Sequence, residues 1–512
     1  MRRVGWLAPL LLAGCAMFKP PPAPPPPFAC PQLNGPLWLE LTSPHFDLRT
    51  SNPERFARHD IQAMEDLLLA IRGAVDFLLP GAAAPSRTSV VVLADAREIA
   101  AIMPPNTEAF ASPIDDHGRP TIVLANGNSQ LVFRHELTHR LVFQRLPRAQ
   151  AWLNEGLAEY FMMVQLEKGV VHLGIPTPRV KRLTSSQFEK NTKPGLILID
   201  EEMPTLGAIM GADEKTLESD EKFYIAAWAA VHFLANGGPD HPHRFRLFLR
   251  AIAAGTDTAE ALVANYGSPS ALEARYREYL RGFTGLSVSV TELAFPLVTQ
   301  WKPVTPTVRA LSDAEVHRLW SFFYPRQANR QLELARQHDP QSSSTQFLEA
   351  QHDVRRGLYE DALAALDRAV AAPPKEPFLV AMRLSLRVDL MQRLAPAARD
   401  LASLAPDAHE LAQTADETFT LLAVAQYAAL SGDVALGLPA VERAIAFDPN
   451  CFECLMTSAR LHYAKGDFAG AVEQAELGVH RFAKPGGPPW ASLDRLKCYR
   501  DRAAGHDVDC AP

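Results

Sequence analysis

The stretch Leu131-Val-Phe-Arg-His135-Glu136-Leu-Thr-His139-Arg-Leu-Val-Phe143 decides the fold of the N-terminal part of this 512-residue chain. Apolar residues surround an HExxH motif, and this pattern suits a buried helix. Residues four positions apart share one face of a helix, so both imidazoles can reach a single Zn²⁺. Glu136 then stands one residue further round, placed to take a proton from a zinc-bound water.

A third ligand is expected from the segment that follows. Glu155 lies 16 residues after His139, within Trp152-Leu-Asn-Glu-Gly-Leu-Ala-Glu-Tyr-Phe161. A catalytic zinc site needs three protein ligands and one open position for water. Pro147 is expected to end the first helix, and a second helix is expected to begin near Trp152, which returns the Glu155 carboxylate to the histidines. The alternative is a pair of hydrogen-bonded core histidines without metal.

HELTH followed by WLNEGLAEY resembles the gluzincin metallopeptidases, and among them the bacterial peptidase MA-like domains. The resemblance covers roughly Leu37 to Thr284. It implies that His135, His139 and Glu155 bind one Zn²⁺ and that Glu136 is the general base. The gap between the second histidine and the glutamate is shorter here than in thermolysin-like enzymes, so details of the substrate pocket do not carry over.

The same resemblance assigns a role to Glu159, one helical turn after Glu155. It matches an acidic residue that accepts a hydrogen bond from a ligating histidine, which is the support that metal sites generally require. The alternative is that Glu159 is one of a solvated pair of acidic residues on an exposed helix face.

The resemblance also suggests a residue that stabilises the oxyanion of the reaction. The segment from Glu221 to Leu234 is predicted to be a helix, and gluzincins carry a Tyr or His on a downstream helix. Tyr224 is the candidate and His232 the reserve. For both residues the alternative is ordinary core packing. The irregular stretch from Glu167 to Glu221 is expected to form a cleft wall or a lid.

The expected fold class is α+β for residues 37–285, with a small sheet and helices that carry HExxH. Leu37 to Thr50, Ser89 to Leu93 and Pro120 to Ala125 are predicted strands, and Pro53 to Leu79 a helix. In gluzincins the strand before the metal helix tends to lie at the edge of the cleft. Thr121 to Asn126 are therefore expected to pair with an extended substrate by β-strand addition.

The C-terminal part is predicted to be an all-α solenoid. Residues 286–325 are interpreted as a linker and residues 326–505 as three or four tetratricopeptide (TPR) repeats. Gly432 and Gly466 are 34 residues apart, the period of these repeats, and Gly357 begins a similar pattern. Such an array predicts a protein partner or a bound protein substrate. A generic helical bundle is the alternative.

The N-terminus predicts export and lipidation. Residues 1–14 have a basic start and a short apolar stretch, and Leu12-Ala-Gly-Cys15 resembles a bacterial lipobox. Cys15 is then the lipidated residue, and Ala16 after it favours the outer membrane, with the body facing the periplasm. Residues 15–36 form a proline-rich spacer. An ordinary signal peptide is the alternative.

Composition narrows the possible partners of the protein and the possible roles of its cysteines. A net charge of −7 and the lack of a basic, aromatic-laced patch argue against nucleic acid as a partner. Six cysteines are too few for a disulfide scaffold. An oxidising compartment would permit pairing of Cys451 with Cys454 and of Cys498 with Cys510, and structural disulfides or buried thiols are favoured over a redox or zinc-ribbon motif. Cys30 is left without an obvious partner.

Together these features predict an envelope-tethered zinc metallopeptidase that acts on proteins or peptides. The alternative is a non-catalytic TPR scaffold or assembly factor with a vestigial zinc domain. The presence of Glu136 favours the enzyme, because a dead site has no reason to keep the base.

Overall fold

The computed structural model describes most of the chain after residue 29. The residues it describes are 30–31, 34–79, 87–94, 96–103, 109–112, 115–125, 129–146, 149–167, 170–177, 204–212, 221–282, 291–294, 303–373, 375–481, 490–508 and 510. The predicted signal peptide, Cys15 and most of the proline-rich spacer lie outside these residues. So do positions 178–203 and 213–220 of the expected cleft wall or lid.

The strands form two sheets. The nine described strands are Leu39–Thr42 (β1), Phe46–Thr50 (β2), Thr88–Leu93 (β3), Ala109–Ser112 (β4), Thr121–Ala125 (β5), Gln165–Glu167 (β6), Val170–Leu173 (β7), Thr291–Ala294 (β8) and Thr307–Ala310 (β9). The first sheet has the order β4-β5-β3-β2-β1-β9, and the second has the order β6-β7-β8. Strands β2, β3 and β5 are parallel, while β4, β1 and β9 pair antiparallel with their neighbours. Val90, Val91 and Val92 are buried, as expected for a central strand covered on both faces.

The expectation that Thr121 to Asn126 form an edge strand is wrong for the described residues 121–125. Strand β5 pairs with β3 through Val91↔Val123 and with β4 through Phe110↔Val123. Its backbone groups are therefore already committed to two ladders. Among the described strands, the two edges of this sheet are β4 and β9, and β4, next to β5, is a four-residue antiparallel strand that was not predicted from the sequence.

Helices cover both faces of this sheet. Glu54–Leu78 (α1) packs Ile61, Leu68 and Ile71 into the main core, and these positions have the spacing of one helical face. The other helices of this part are Ala96–Ile102 (α2), Ser129–Arg145 (α3), Ala151–Met162 (α4), Leu206–Met210 (α5), Glu221–Asn236 (α6), His241–Ala253 (α7), Thr258–Tyr266 (α8) and Pro269–Gly282 (α9). The N-terminal part is thus α+β, as the sequence predicts.

The C-terminal part is helical. Its helices are Asp313–Phe323 (α10), Ala328–His338 (α11), Ser343–Arg356 (α12), Tyr359–Ala371 (α13), Pro377–Gln392 (α14), Ala405–Thr414 (α15), Thr418–Ser431 (α16), Val434–Phe447 (α17), Phe452–Lys465 (α18), Phe468–Arg481 (α19) and Trp490–Ala503 (α20). Helix α12 packs on α13, α16 on α17 and α18 on α19, which gives a TPR-like series of helix pairs. Gly357, Gly432 and Gly466 end the first helix of these pairs in the left-handed conformation that glycine adopts most readily.

The segment expected to be a linker contributes to the N-terminal sheet. Strand β9 pairs with β1 through Leu41↔Val308, and α10 packs on the sheet through an edge-to-face contact of Trp320 with Trp38, whose ring centroids are 5.8 Å apart. Strand β9 has only four residues, of which three are exposed and one is partly buried. A strand this short and this exposed has no alternation of apolar and polar residues from which the sequence could predict it.

Both expected cysteine couples form disulfides, Cys451–Cys454 and Cys498–Cys510. Cys30 is a buried thiol. Among the helices that the structure describes, we find none that combines the length and the apolar character needed to cross a bilayer.

Candidate metal centre

Helix α3 places the two motif histidines side by side. Their ring centroids are 4.5 Å apart, and His135 Nε2 lies 2.9 Å from His139 Nε2. Both side chains are partly exposed, so a small molecule can reach them from solvent. Leu137 and Leu141 anchor the opposite face of the helix in the core, which orients the imidazoles outward from it.

Helix α4 brings the Glu155 carboxylate to the same point. Oε2 of Glu155 lies 3.3 Å from His135 Nε2 and 3.4 Å from His139 Nε2. These three are the residues expected to bind the metal, and their donor atoms converge.

The donor set fits a zinc ion. Nitrogen and oxygen ligands about 2.0–2.2 Å from a tetrahedral ion lie roughly 3.3 Å from each other, close to the separations that Glu155 makes with both rings. Within the described part of the chain, the buried Oε2 of Glu155 makes no hydrogen bond of good geometry. Two imidazoles and one carboxylate leave the fourth position of a tetrahedral ion open, which is the pattern of a catalytic site.

Glycine allows α4 to approach α6 closely. A Cβ atom on Gly156 would lie 2.6 Å from the Ala227 carbonyl oxygen and 2.6 Å from Val231 Cγ2, well inside van der Waals contact. Gly156 directly follows Glu155, one of the three candidate ligands. The close approach therefore sets the position of the carboxylate, and it also brings α6 beside the metal centre.

Two side chains from α4 lie beside the histidines. Glu159 is buried, and its Oε1 lies 3.5 Å from His135 Nδ1, on the side of the ring that faces away from the ligand atoms. Asn154 lies near the His139 ring and favours the protonated form of that ring, which raises its pKa. Sequence reasoning proposed Glu159 but assigned no role to Asn154, although its place beside Glu155 in the motif was a signal.

The electrostatics of the metal-free site couple His139 to Glu155. Burial opposes protonation of His139, but the charge and hydrogen-bonding capacity of Glu155, together with the charge of Glu136, outweigh it and raise the pKa of the ring to about 9. Burial likewise opposes ionisation of Glu155, but the neighbouring histidines hold the pKa of its carboxyl far below the ordinary value. The site therefore favours a positive charge between these groups, whether a proton or a metal cation.

The structure brings Tyr224 to the metal centre. The Tyr224 ring on α6 is partly exposed, and its centroid lies 6.4 Å from that of His135. Glu136 is also partly exposed, one residue round α3 from the ligand His135. The expected base and the expected oxyanion donor thus lie on the two helices that border the ligand set.

The reserve candidate, His232, lies in the core instead. It follows Tyr224 by eight residues, about 12 Å along the helix at 1.5 Å per residue. Its side chain is buried against Trp228. Its Nδ1 shares a 2.6 Å hydrogen bond with Tyr279 Oη. Burial lowers the pKa of His232 to about 4, so the ring is neutral. These surroundings indicate a packing role.

Helix α3, which carries the HExxH motif, also contacts the C-terminal helical array. Gln144 Nε2 donates a 3.2 Å hydrogen bond to the Phe447 carbonyl at the end of α17. Burial lowers the pKa of Arg140 to about 10, and the nearby Asp448 carboxylate partly offsets this effect. The turn between α17 and α18 therefore lies against the helix that carries HExxH, a contact between segments too distant in sequence to predict.

Comparison with known proteins adds a family of undescribed function. A family model with the description "Protein of unknown function (DUF1570)" matches residues 131–248. No curated protein matches the chain. Among solved structures, the chain is similar to "Crystal structure of PilW, widely conserved type IV pilus biogenesis factor", with 15% identity, a TM-score of 0.31, and coverage of 38% of this chain and 86% of that chain. The part of the chain that matches the family model contains the whole ligand set together with Tyr224.

Proposed function

We propose that the chain is a zinc-dependent metallopeptidase of the gluzincin type. One observation carries the proposal: the donor atoms of His135, His139 and Glu155 converge from two helices, with Glu136 next to the first of them. Bound zinc would supply a Lewis acid and would lower the pKa of a coordinated water towards 7.

The protein side chains then perform the proton transfers. Glu136 accepts a proton from the attacking water and returns it to the leaving amine, as a general base and then a general acid. Tyr224 donates a hydrogen bond to the oxygen that becomes negative as the peptide carbonyl is attacked. Glu159 holds the His135 imidazole in the orientation that metal binding requires.

An extended peptide is the substrate that the sheet can receive. Among the described strands, β4 is the edge strand of the first sheet that packs beside α3, and its Ala111 is exposed. A peptide that pairs with the outer side of β4 would gain backbone hydrogen bonds by strand addition. In this proposal Ala109–Ser112, and not Thr121 to Asn126, supply the backbone hydrogen bonds to the substrate.

The remaining parts support an envelope protein. Disulfides persist in oxidising compartments, and the chain forms two of them. We propose that lipid on Cys15 tethers the enzyme to the outer membrane, facing the periplasm. The TPR-like array then offers a surface for a protein substrate or partner.

The test compares Glu136→Gln with Glu260→Gln, a control at an exposed position of α8. Both variants should bind one equivalent of zinc at the HExxH site, measured by competition with a chromophoric chelator. Glu136→Gln should lose about 10²–10⁴-fold in turnover, since general acid–base catalysis contributes that much. Turnover is followed by mass spectrometry on a degenerate peptide library and on denatured envelope proteins.

Two outcomes would contradict the proposal. If the wild-type chain binds zinc at this site but cleaves no substrate, the non-catalytic scaffold becomes the better interpretation. If Glu136→Gln retains full turnover, another group is the base and the assigned mechanism is wrong.

A further inference from the structure

A second cluster of metal-ligating side chains lies outside the candidate metal centre. It consists of Cys30, just before the first sheet, His317 on α10 and His338, the last residue of α11. Cys30 and His317 are fully buried, and the His338 side chain is 12% exposed. Cys30 belongs to the small core that packs Trp38 and Trp320 between the sheet and α10.

The donor atoms of this cluster converge. His317 Nε2 lies 3.8 Å from Cys30 Sγ and 3.3 Å from His338 Nδ1. Asp313 adds a carboxylate oxygen 4.0 Å from His338 Nδ1 and is nearly buried. Two imidazoles and one thiol thus face a common point, and the Asp313 carboxylate lies beside the second ring.

A hydrogen bond orients the central histidine. His317 Nδ1 lies 2.8 Å from Gln331 Oε1, and because an amide oxygen only accepts, the proton is on Nδ1. Nε2 then directs its lone pair at the sulfur and at the second ring. An imidazole whose far nitrogen donates to a fixed oxygen is the usual arrangement around a protein-bound metal.

The separations suit a tetrahedral zinc ion. With Zn–N bonds of about 2.0–2.1 Å and Zn–S bonds of about 2.3 Å, neighbouring ligand atoms lie roughly 3.3 Å apart for two nitrogens and 3.6 Å for nitrogen and sulfur. A thiolate with imidazoles disfavours Mg²⁺ and Ca²⁺, which prefer oxygen ligands. A thiolate among the ligands distinguishes this set from the nitrogen and oxygen donors of the HExxH centre.

We propose that Cys30, His317 and His338 hold a structural zinc ion, and that the Asp313 carboxylate, 4.0 Å from His338 Nδ1, completes its coordination. The ion would join the start of the folded chain to the α10–α11 helix pair, where the helical array meets the sheet. The binding free energy of a structural ion adds to the stability of the folded state. The segment that leads from the membrane tether would therefore be fixed to the protein body. This proposal holds whether or not the HExxH centre is catalytic.

The first measurement uses cobalt as a spectroscopic substitute for zinc in the full chain carrying Cys15→Ser. With Cys15 replaced, five of the six cysteines remain, and four of these form the two disulfides. Cys30 is therefore the sole thiol of this variant. Cobalt should produce a near-ultraviolet thiolate-to-cobalt absorption. The absorption should be lost in Cys30→Ser and retained in His409→Ala, a control at an exposed histidine.

The second measurement counts metal without any use of activity. The Cys15→Ser chain should bind two equivalents of zinc, and the same chain with His135→Ala and His139→Ala should bind one. In that second background a chelator should lower Tm, whereas after His338→Ala it should not. His338 is more exposed than His317. The His338→Ala variant can therefore test the zinc site even if Cys30→Ser fails to fold.

The proposal is overturned if the chain lacking His135 and His139 binds no zinc and cobalt gives no thiolate absorption. The cluster is then a hydrogen-bonded part of the core. Stoichiometric copper in place of zinc, lost with Cys30→Ser, would overturn the assignment of the metal.

Discussion

Gly156→Ala tests the packing that positions the metal centre. The new Cβ would stand 2.6 Å from the Ala227 oxygen and from Val231 Cγ2. Ordinary contacts of this kind need about 3.2 Å or more, so α4 must move from α6 by roughly 0.6–1 Å. Such overpacking costs about 1–3 kcal/mol, against which alanine gains about 1 kcal/mol of helix propensity over glycine.

The matched control is Gly207→Ala on α5, where an added Cβ meets nothing within 4 Å. That change should be neutral or stabilise by at most about 1 kcal/mol. The two variants should thus differ by about 1–3 kcal/mol in the free energy of unfolding, measured by urea denaturation of the zinc-free chain.

The displacement also has a consequence for the metal. Ligand distances in a metal site tolerate shifts of only about 0.2 Å, and Glu155 is the neighbour of Gly156. Zinc affinity should fall at least tenfold in Gly156→Ala, measured by chelator competition, and remain unchanged in Gly207→Ala. If Gly156→Ala binds zinc as tightly as wild type and is equally stable, the close approach of α4 and α6 does not position Glu155.

Three further predictions concern single side chains. Tyr224→Phe should lower kcat by about 10²-fold with little change in KM, as for loss of one oxyanion donor, whereas His232→Ala should mainly lower Tm; the reverse pattern would exchange their roles. Because the folded-state pKa of His139 is raised from 6.5 to about 9, its stabilisation is full below pH 6.5 and is lost as the pH rises through 9. The metal-free chain should therefore lose stability between pH 6.5 and 9 in urea titrations, and Glu155→Gln should remove most of that loss. Arg318→Ala should destabilise by about 1.5–3 kcal/mol, because Asp116 and Glu376 each lose this buried guanidinium, while Asp116 keeps Arg49 and Glu376 keeps His117 as partners; a loss under 1 kcal/mol would refute it.

Local sequence patterns were sufficient where a feature lies within one or two elements. Helical spacing in HELTH placed His135 and His139 on one face, and the short connection to the next helix returned Glu155 to them. The apolar run at β3 and the helical period of α1 likewise predicted the elements that form.

Features that depend on pairing between distant segments were missed. The place of β5 inside the sheet depends on β4, a four-residue strand without a clear alternating pattern. The association of β9 with β1 and the contact of Gln144 with Phe447 join segments more than 260 residues apart in the chain. Short strands carry little periodicity, and a turn against a helix carries none, so no local signal exists to find them.

The sequence by itself determined the chemistry that the chain offers: an HExxH helix, a carboxylate on the next helix, and helix pairs punctuated by glycine. Spacing alone carries this information, because helix geometry converts sequence distance into a shared face. Only the tertiary structure places Tyr224 beside His135 and buries His232 in the core. Only it brings Cys30 to His317, which lies 287 residues away, because long-range burial has no period in the sequence.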